Sequence, residues 1–274
     1  YEAARFRFQF QNNFATIFAV KISATIITFN EERNIQQAID SVKWADEVVV
    51  VDSESTDKTR EIAESLGARV LINPWPGFSK QKQFAVEEAA NDWILSIDAD
   101  ERITNELKLE IESLSNYSEI ADGYRIPRLS YYMGRPIRHG GWYPDRQLRL
   151  FDRRKGKWRE MLVHESVGMC DGTKTTNLSS DIQHFSVENA THHHRMIGER
   201  YAPLAARQMF ENGKRTSRFG IVTTGFFAFF RAYFLKAGFL DGLAGFAIAS
   251  FAAHHAFLKH LILWEMQQNK TIKR

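Results

Sequence analysis

The sequence predicts an α/β fold: an open, mostly parallel sheet with helices on both faces, followed by a C-terminal helical region suited to a membrane surface. Three observations lead there. Strand-like and helix-like segments alternate from Ile22 to Ile97, the pattern of a parallel sheet with crossover helices. The strand-like runs are β-branched and continuously apolar, as strands covered on both faces are. After Phe219 the chain becomes strongly apolar and aromatic.

Ile22 to Thr28 reads as the first strand. Asn30 or Asn34 is placed to cap the helix after it, which runs to about Val42. The valine run from Glu47 to Val51 is the second strand. Asp57 opens a helix that stops at Gly67. Arg69 to Ile72 is the third strand, and Pro74-Trp75-Pro76-Gly77 is a loop. Lys80 to Ala90 is helical, and Trp93 to Ile97 is the fourth strand. After Asn116 the pattern changes. Gly123 to Leu129 and Gln147 to Phe151 read as strands around a segment rich in Tyr, Gly, Pro and Arg. Thr191 to Phe210 is helical, with Asn212-Gly213 as its stop. The expected organisation is an extension outside the fold (1–20), an α/β domain (21–190, with halves 21–115 and 116–190) and a helical, membrane-interface region (191–274).

A chain of 274 residues, 44% hydrophobic and 25% charged, has the make-up of a globular domain with an appendage. A net charge of +3 is too small to argue for nucleic acid, and none is expected as a partner. The single cysteine, Cys170, excludes an intramolecular disulfide and a cysteine-based metal site. Basic residues cluster at Arg195, Arg200, Arg207, Lys214, Arg215 and Arg218, opposed by Glu199 and Glu211. Arg231, Lys236 and Lys259 rim the apolar region, an arrangement suited to an anionic membrane surface. Spanning needs about 20 apolar residues. Arg231, Lys236 and Asp241 interrupt the region, and the uncharged stretch from Gly242 to Leu258 falls short. Helices lying in the interface are expected; a hairpin buried on the core and a spanning helix are the alternatives.

Ligands of open α/β sheets bind at the carboxyl ends of strands. Three groups sit at such ends: Thr28-Phe29-Asn30-Glu31, Asp52-Ser53-Glu54-Ser55-Thr56-Asp57 and Asp98-Ala99-Asp100-Glu101. Carboxylates so closely spaced repel unless a cation or basic neighbour neutralises them. Hard oxygen ligands suit Mg2+ or Mn2+. The alternative for the third group is an acidic turn starting a helix near Asn105. Asp52, a carboxylate ending a valine run, is suited to accept hydrogen bonds from a base or ribose. Neither a dinucleotide fingerprint nor a Walker-type loop is present.

The stretches ISATIITFNEERNI, ADEVVVVDSESTDKT, GFSKQKQFA and WILSIDADE, in that order, resemble the nucleotide-binding half of the family-2 glycosyltransferases with the GT-A fold. The likeness runs from Ile22 to Ile111. GGWYPDRQLRLFDRRKGKW, VHESV, HFSVEN and YFLKAGFLDGLAGF resemble the bacterial lipopolysaccharide-core branch, which includes β-1,4-glucosyltransferases acting on inner-core heptose. With these the likeness reaches Trp264.

The resemblance implies roles. Thr28, Asn30 and Glu31 border the nucleotide of a nucleotide-sugar donor. Asp52 holds the uracil or ribose; many relatives carry a second acid after it, where this chain has Ser53. Lys82 matches a basic position facing the nucleotide. Asp100 binds the Mg2+ or Mn2+ that bridges the diphosphate, with Asp98 beside it near the ribose. Glu101 stands next to the metal rather than on it. The implied reaction is an in-line, inverting displacement that moves a hexose, glucose by resemblance, from a UDP-linked donor to a lipid-linked saccharide at the cytoplasmic face of the bacterial inner membrane. Glu165 is favoured over Asp145 as the base; a salt bridge of Asp145 with Arg146 or Arg149, and a helix start at Glu165, are the structural alternatives. His164 and His184 are candidate metal ligands. His192 to His194 read as exposed. Trp142, Tyr143, Tyr131 and Tyr132 suit sugar stacking or the core, and Arg146, Arg149, Arg153 and Arg154 suit acceptor or lipid phosphates or a solvated face. Transfer to a polyprenyl phosphate and a non-catalytic, membrane-bound assembly partner are the competing readings.

Overall fold

The computed structural model describes residues 20–114, 121–160 and 165–272. The expected extension (1–20), apart from Val20, and His164 lie outside the described residues. The elements are β1 (Ile22–Thr28), α1 (Ile35–Val42), β2 (Glu47–Asp52), α2 (Thr59–Ser65), β3 (Arg69–Ile72), α3 (Phe78–Glu88), β4 (Trp93–Asp98), β5 (Glu101–Ile103) and α4 (Asn105–Ser113). Then come β6 (Gly123–Tyr132), β7 (Arg135–Pro136), β8 (Asp145–Asp152), β9 (Gly156–Trp158), β10 (Val167–Met169), β11 (Thr175–Asn177) and β12 (Ile182–Val187). The rest is helical: α5 (Ala190–Arg195), a π-helical segment (Met196–Tyr201), α6 (Ala202–Glu211), α7 (Arg218–Phe230) and α8 (Gly242–Ile272).

The main sheet runs β3-β2-β1-β4-β8-β6-β12-β5. Strands β3, β2, β1 and β4 are parallel, and β8 joins β4 antiparallel. On one face Ile35, Ala38, Ile39 and Val42 of α1 and Leu107 and Ile111 of α4 pack on Ala24, Ile26, Leu95 and Ile97. On the other, Ala85 of α3 packs on Ile27, Val49 and Val51. Burial on both faces is why these strands are apolar without alternation. In register, Thr28 lies beside Asp52 and Ile27 beside Asp98, so the three polar groups meet at one carboxyl edge.

Local details differ from expectation where side chains find partners in tertiary structure. Neither Asn30 nor Asn34 caps α1 through its side chain. Asn30 has φ 54° and accepts from the Thr56 N–H at 2.8 Å, tying the loop after β1 to the loop after β2. The acidic group does not start a helix. Asp98 ends β4, Glu101 begins β5, and Thr104 is the residue whose side chain caps α4. His193 is buried rather than exposed: it packs on Phe251, with ring centroids 4.1 Å apart, and its Nδ1 lies 3.3 Å from the Tyr132 hydroxyl.

The last region is a hairpin of α7 and α8. Its backbones approach closely: a Cβ on Gly225 of α7 would fall 3.2 Å from the carbonyl oxygen of Ala253 on α8. Ile248 packs against Tyr132, Ile137 and Val187, which seats α8 on the α/β domain. Asp241, at the tip, accepts from the backbone N–H of His139 at 2.8 Å and sits 2.9 Å from its Nδ1. The opposite face is uncovered: Phe219, Phe226, Phe227, Leu235, Leu240 and Leu243 are exposed, Leu243 to 80%. The stretch Gly238–Asn269 is long and apolar enough to cross a membrane by length and composition, with a mean hydropathy of 1.3.

Candidate functional site

Asp98 leaves the end of β4 between two cations. Its carboxylate is 2.8 Å from Lys82 Nζ and 3.1 Å from Arg149 Nη2. Burial alone would raise its pKa, but Lys82 and then Arg149 hold it well below the usual carboxylate range. Lys82 is on α3, 2% exposed, 3.6 Å from Glu165 and 4.9 Å from the centre of the Trp158 ring. It therefore bridges Asp98 and Glu165. Arg149 is 3% exposed and occupies a β-bulge, since Tyr124 pairs with Leu150 and Arg125 with Leu148. A bulge re-aims the extra side chain, here into the acidic cluster.

Glu101 is fully buried. One oxygen accepts from Arg128 (3.2 Å) and Arg149 (2.8 Å), and the other accepts from the Asp98 N–H (3.0 Å). It fixes the arginines and the turn, with no oxygen left to face the cleft. Asp100 projects from that turn, 26% exposed, with Oδ2 3.2 Å from His184 Nε2. The other ring nitrogen, Nδ1, lies 3.3 Å from the Ser130 hydroxyl. That contact orients the imidazole and leaves Nε2 facing Asp100.

Asp145 and Glu165 stand apart in state. Asp145 is held by Arg128, through Nε at 2.9 Å and Nη2 at 2.5 Å, and takes a hydrogen bond from Gln147. Burial would raise its pKa, but Arg128 lowers it overall. Its partner is thus Arg128, rather than the Arg146 or Arg149 of the structural alternative. Glu165 is a quarter exposed in the loop before β10, not at a helix start, and meets Lys82 only at ion-pair distance.

On the other flank the loops are tightly cross-linked. Asp52 is fully buried, and its two oxygens accept from the Ser55 N–H and hydroxyl. The Ser55 hydroxyl in turn accepts from the Asn30 N–H (2.8 Å), and Thr59 Oγ1 accepts from the Glu31 N–H (2.8 Å). Burial pushes the Glu31 carboxyl up to about 7, with Asp100 adding to the rise and a hydrogen bond from Asn34 opposing it. Thr28 Oγ1 and the Nε and Nη1 of Arg149 are buried here without a hydrogen-bond partner among the described residues. Buried donors of this kind are ordinarily completed by a ligand or water.

Thr28, Asn30, Glu31, Asp52, Lys82, Asp98, Asp100 and Glu165 are thus gathered at one edge, and Asp145 is linked to them through Arg128. Other expectations move. Arg149 is buried in the acid cluster rather than solvated, Arg146 donates to the Leu178 carbonyl, and Arg153 and Arg154 pair with Asp92 away from the cleft. Tyr132 is core, Tyr131 stacks on Phe185, Trp142 packs edge-on to Tyr132, and Tyr143 donates to Asp181. Sequence reasoning missed Arg128, which shares its strand with a second arginine, Arg125, and carries no signal that sets it apart.

No group of three or more His, Cys, Asp or Glu side chains among the described residues forms a complete metal cage. Asp100 and His184 place a carboxylate oxygen and an imidazole nitrogen side by side, two atoms of the kind that bind divalent cations.

Comparison with known proteins agrees in one direction. The model of the family described as Glycosyl transferase family 2 matches residues 23–174. An uncharacterized glycosyltransferase of Rickettsia bellii is 36% identical over 262 residues, 90% of this chain and 87% of the relative. The lipopolysaccharide core biosynthesis glycosyltransferase LpsC of Rhizobium meliloti is 33% identical over 244 residues, 86% of this chain and 89% of the relative.

Proposed function

The chain belongs to glycosyl transferase family 2, and on that premise we propose that it is an inverting hexosyltransferase. The donor in this reading is a UDP-linked hexose, glucose by resemblance, and the acceptor is a lipopolysaccharide or lipooligosaccharide core saccharide. Similarity to LpsC over most of both chains supports the acceptor class. The observation that carries the catalytic reading is the pairing of Asp100 with His184 next to the Asp98–Lys82 ion pair, at the carboxyl edge where α/β sheets bind ligands.

Mg2+ or Mn2+ on Asp100, with His184 and Asp98 as the adjacent candidate ligands, would supply Lewis-acid neutralisation of the leaving diphosphate. Lys82 adds a buried positive charge beside the same position, strengthened by exclusion of water. Glu165 takes the proton of the acceptor hydroxyl, since it is partly exposed and bound only loosely by Lys82. Asp145, held ionised and occupied by Arg128, is the poorer base and serves to position Arg128. Thr28, Asn30, Glu31 and Asp52 line the nucleoside side.

The uncovered face of α7 and the hairpin tip fits the interfacial zone of a membrane, which we place at the cytoplasmic side of the inner membrane. Exposed apolar surface of this extent requires cover. Exposed Arg218, Arg231 and Lys236 lie beside it, where anionic headgroups would be. The tip also holds the 138–142 loop through Asp241, so a membrane-borne acceptor would arrive next to the acceptor half.

A donor screen with purified protein, Mn2+ and truncated lipopolysaccharide tests the proposal. Transfer of hexose from a UDP-sugar, abolished in Asp100→Ala, is expected. Absence of turnover with every nucleotide sugar would overturn it.

A further inference from the structure

The segment between β12 and α6 crosses the mouth of the site. Just before it, within β12, His184 touches Asp100, and the Phe185 N–H donates to the Asp100 carbonyl at 2.9 Å. On one bank Glu188 pairs with Arg33, just before α1, at 3.7 Å. On the other bank Arg200 lies over Phe78, the first residue of α3, with its Cζ 4.3 Å from the ring centre. Phe78 precedes Lys82 by one helical turn, which sets both on one face of α3. Tyr201 is 41% exposed, and Asp100 and Glu165 both add to the rise that burial gives its phenol. The Arg200–Phe78 contact therefore ties the π-helical turn at Met196–Tyr201 to the helix that carries Lys82. Such turns often mark functional positions in helices.

Arg200 is exposed and held between two rings, Phe78 at 4.3 Å and Tyr201 at 5.6 Å. It makes no hydrogen bond or ion pair among the described residues. Stacking fixes the plane of a guanidinium while leaving its N–H groups unspent. A planar fork of that kind is suited to phosphate oxygens.

We propose that Arg200, clamped by Phe78 and Tyr201, is a phosphate-binding residue through which the C-terminal helical region completes the site. The proposal rests on the glycosyltransferase reading for the identity of the phosphate, which belongs either to the donor diphosphate or to a phosphorylated acceptor saccharide. The clamp joins α3 to the π-helical turn before α6, so the anion would also lock the two together.

The test uses the full chain and calorimetric titration with inorganic pyrophosphate in the presence of Mn2+. Arg200→Ala is expected to weaken pyrophosphate binding about tenfold or more. Arg200→Lys should recover only part of it, and Phe78→Leu, which keeps the charge but removes the clamp, should fall between. Unchanged thermal midpoints establish that the variants are folded. Titration with UDP against uridine identifies the donor as the source: Arg200→Ala then loses affinity for UDP and not for uridine. Comparing KM for phosphorylated and dephosphorylated acceptor identifies the acceptor instead. Pyrophosphate and UDP affinities and both acceptor KM values all within twofold of wild type in Arg200→Ala would overturn the proposal. If wild-type protein transfers no sugar yet its pyrophosphate binding depends on Arg200, the transferase reading fails and the phosphate site stands.

Discussion

Asp100 Oδ2 and His184 Nε2 lie 3.2 Å apart, although their residues are far apart in sequence. Asp100 follows β4 of the parallel part of the sheet. His184 is on β12, inserted between β6 and β5 at the far end of the sheet. If this pair holds the metal, Asp100→Ala should lower kcat on the order of 10²–10³-fold. His184→Ala should weaken Mn2+ binding about 10–100-fold. Activity titrated with Mn2+ checks both; a His184→Ala enzyme with unaltered metal dependence would remove His184 from the ligand set.

Glu165 and Asp145 are separated by the same measurement. Glu165→Gln should lower kcat about 10²–10⁴-fold with little change in donor affinity. Asp145→Asn should cost much less, because Arg128 already keeps that carboxylate occupied. Steady-state kinetics decides the matter. If both variants retain near wild-type kcat, a phosphate acceptor such as a polyprenyl phosphate, which needs no strong base, becomes the better reading.

Glu31 gives a pH signature in the ligand-free protein. Its carboxyl sits at about 7 in the fold against an ordinary value of 4.5, chiefly through burial. The folded state therefore holds the proton more tightly than the unfolded chain, and this group's contribution to stability declines as pH rises from about 4.5 through 7. Glu31→Gln, neutral throughout, should gain thermal stability over wild type at pH 8 and lose that advantage near pH 4.5. A stability difference that does not vary with pH would show that Glu31 titrates normally.

Glu101 carries structural weight. It is fully buried and engages Arg128, Arg149 and the Asp98 N–H. Glu101→Ala leaves the buried Arg149 with Asp98 alone and should destabilise the fold by about 3–5 kcal/mol. Chemical denaturation measures this. A loss below about 1 kcal/mol would mean that water reaches the cluster freely.

Membrane contact is tested by replacing Phe226 and Phe227, both well exposed on α7, with Ser. Flotation with anionic liposomes should fall while transfer to a soluble acceptor fragment is retained. Unchanged flotation would exclude this face as the anchor.

The sequence by itself determined the parallel half of the fold. In β1, β2 and β4 the residues are apolar because both faces are covered, so the strands are legible without their neighbours. The polar groups after them, Thr28 to Glu31, Asp52 to Asp57 and Asp98 to Glu101, stand out because a parallel sheet ends its strands on one edge. Only tertiary structure decided what each acid does. Asp98, Asp100 and Glu101 are alike in sequence, yet one is ion-paired to Lys82 and Arg149, one projects beside His184, and one is buried under two arginines. Their partners lie on α3, β6, β8 and β12, at sequence distances with no periodic trace. The same holds for His193, buried because α8 returns across Tyr132, and for Arg200, placed over Phe78 because the helical region folds back over the site. A carboxylate's chemistry is set by which charges surround it and how much water remains, and both are properties of the packed chain.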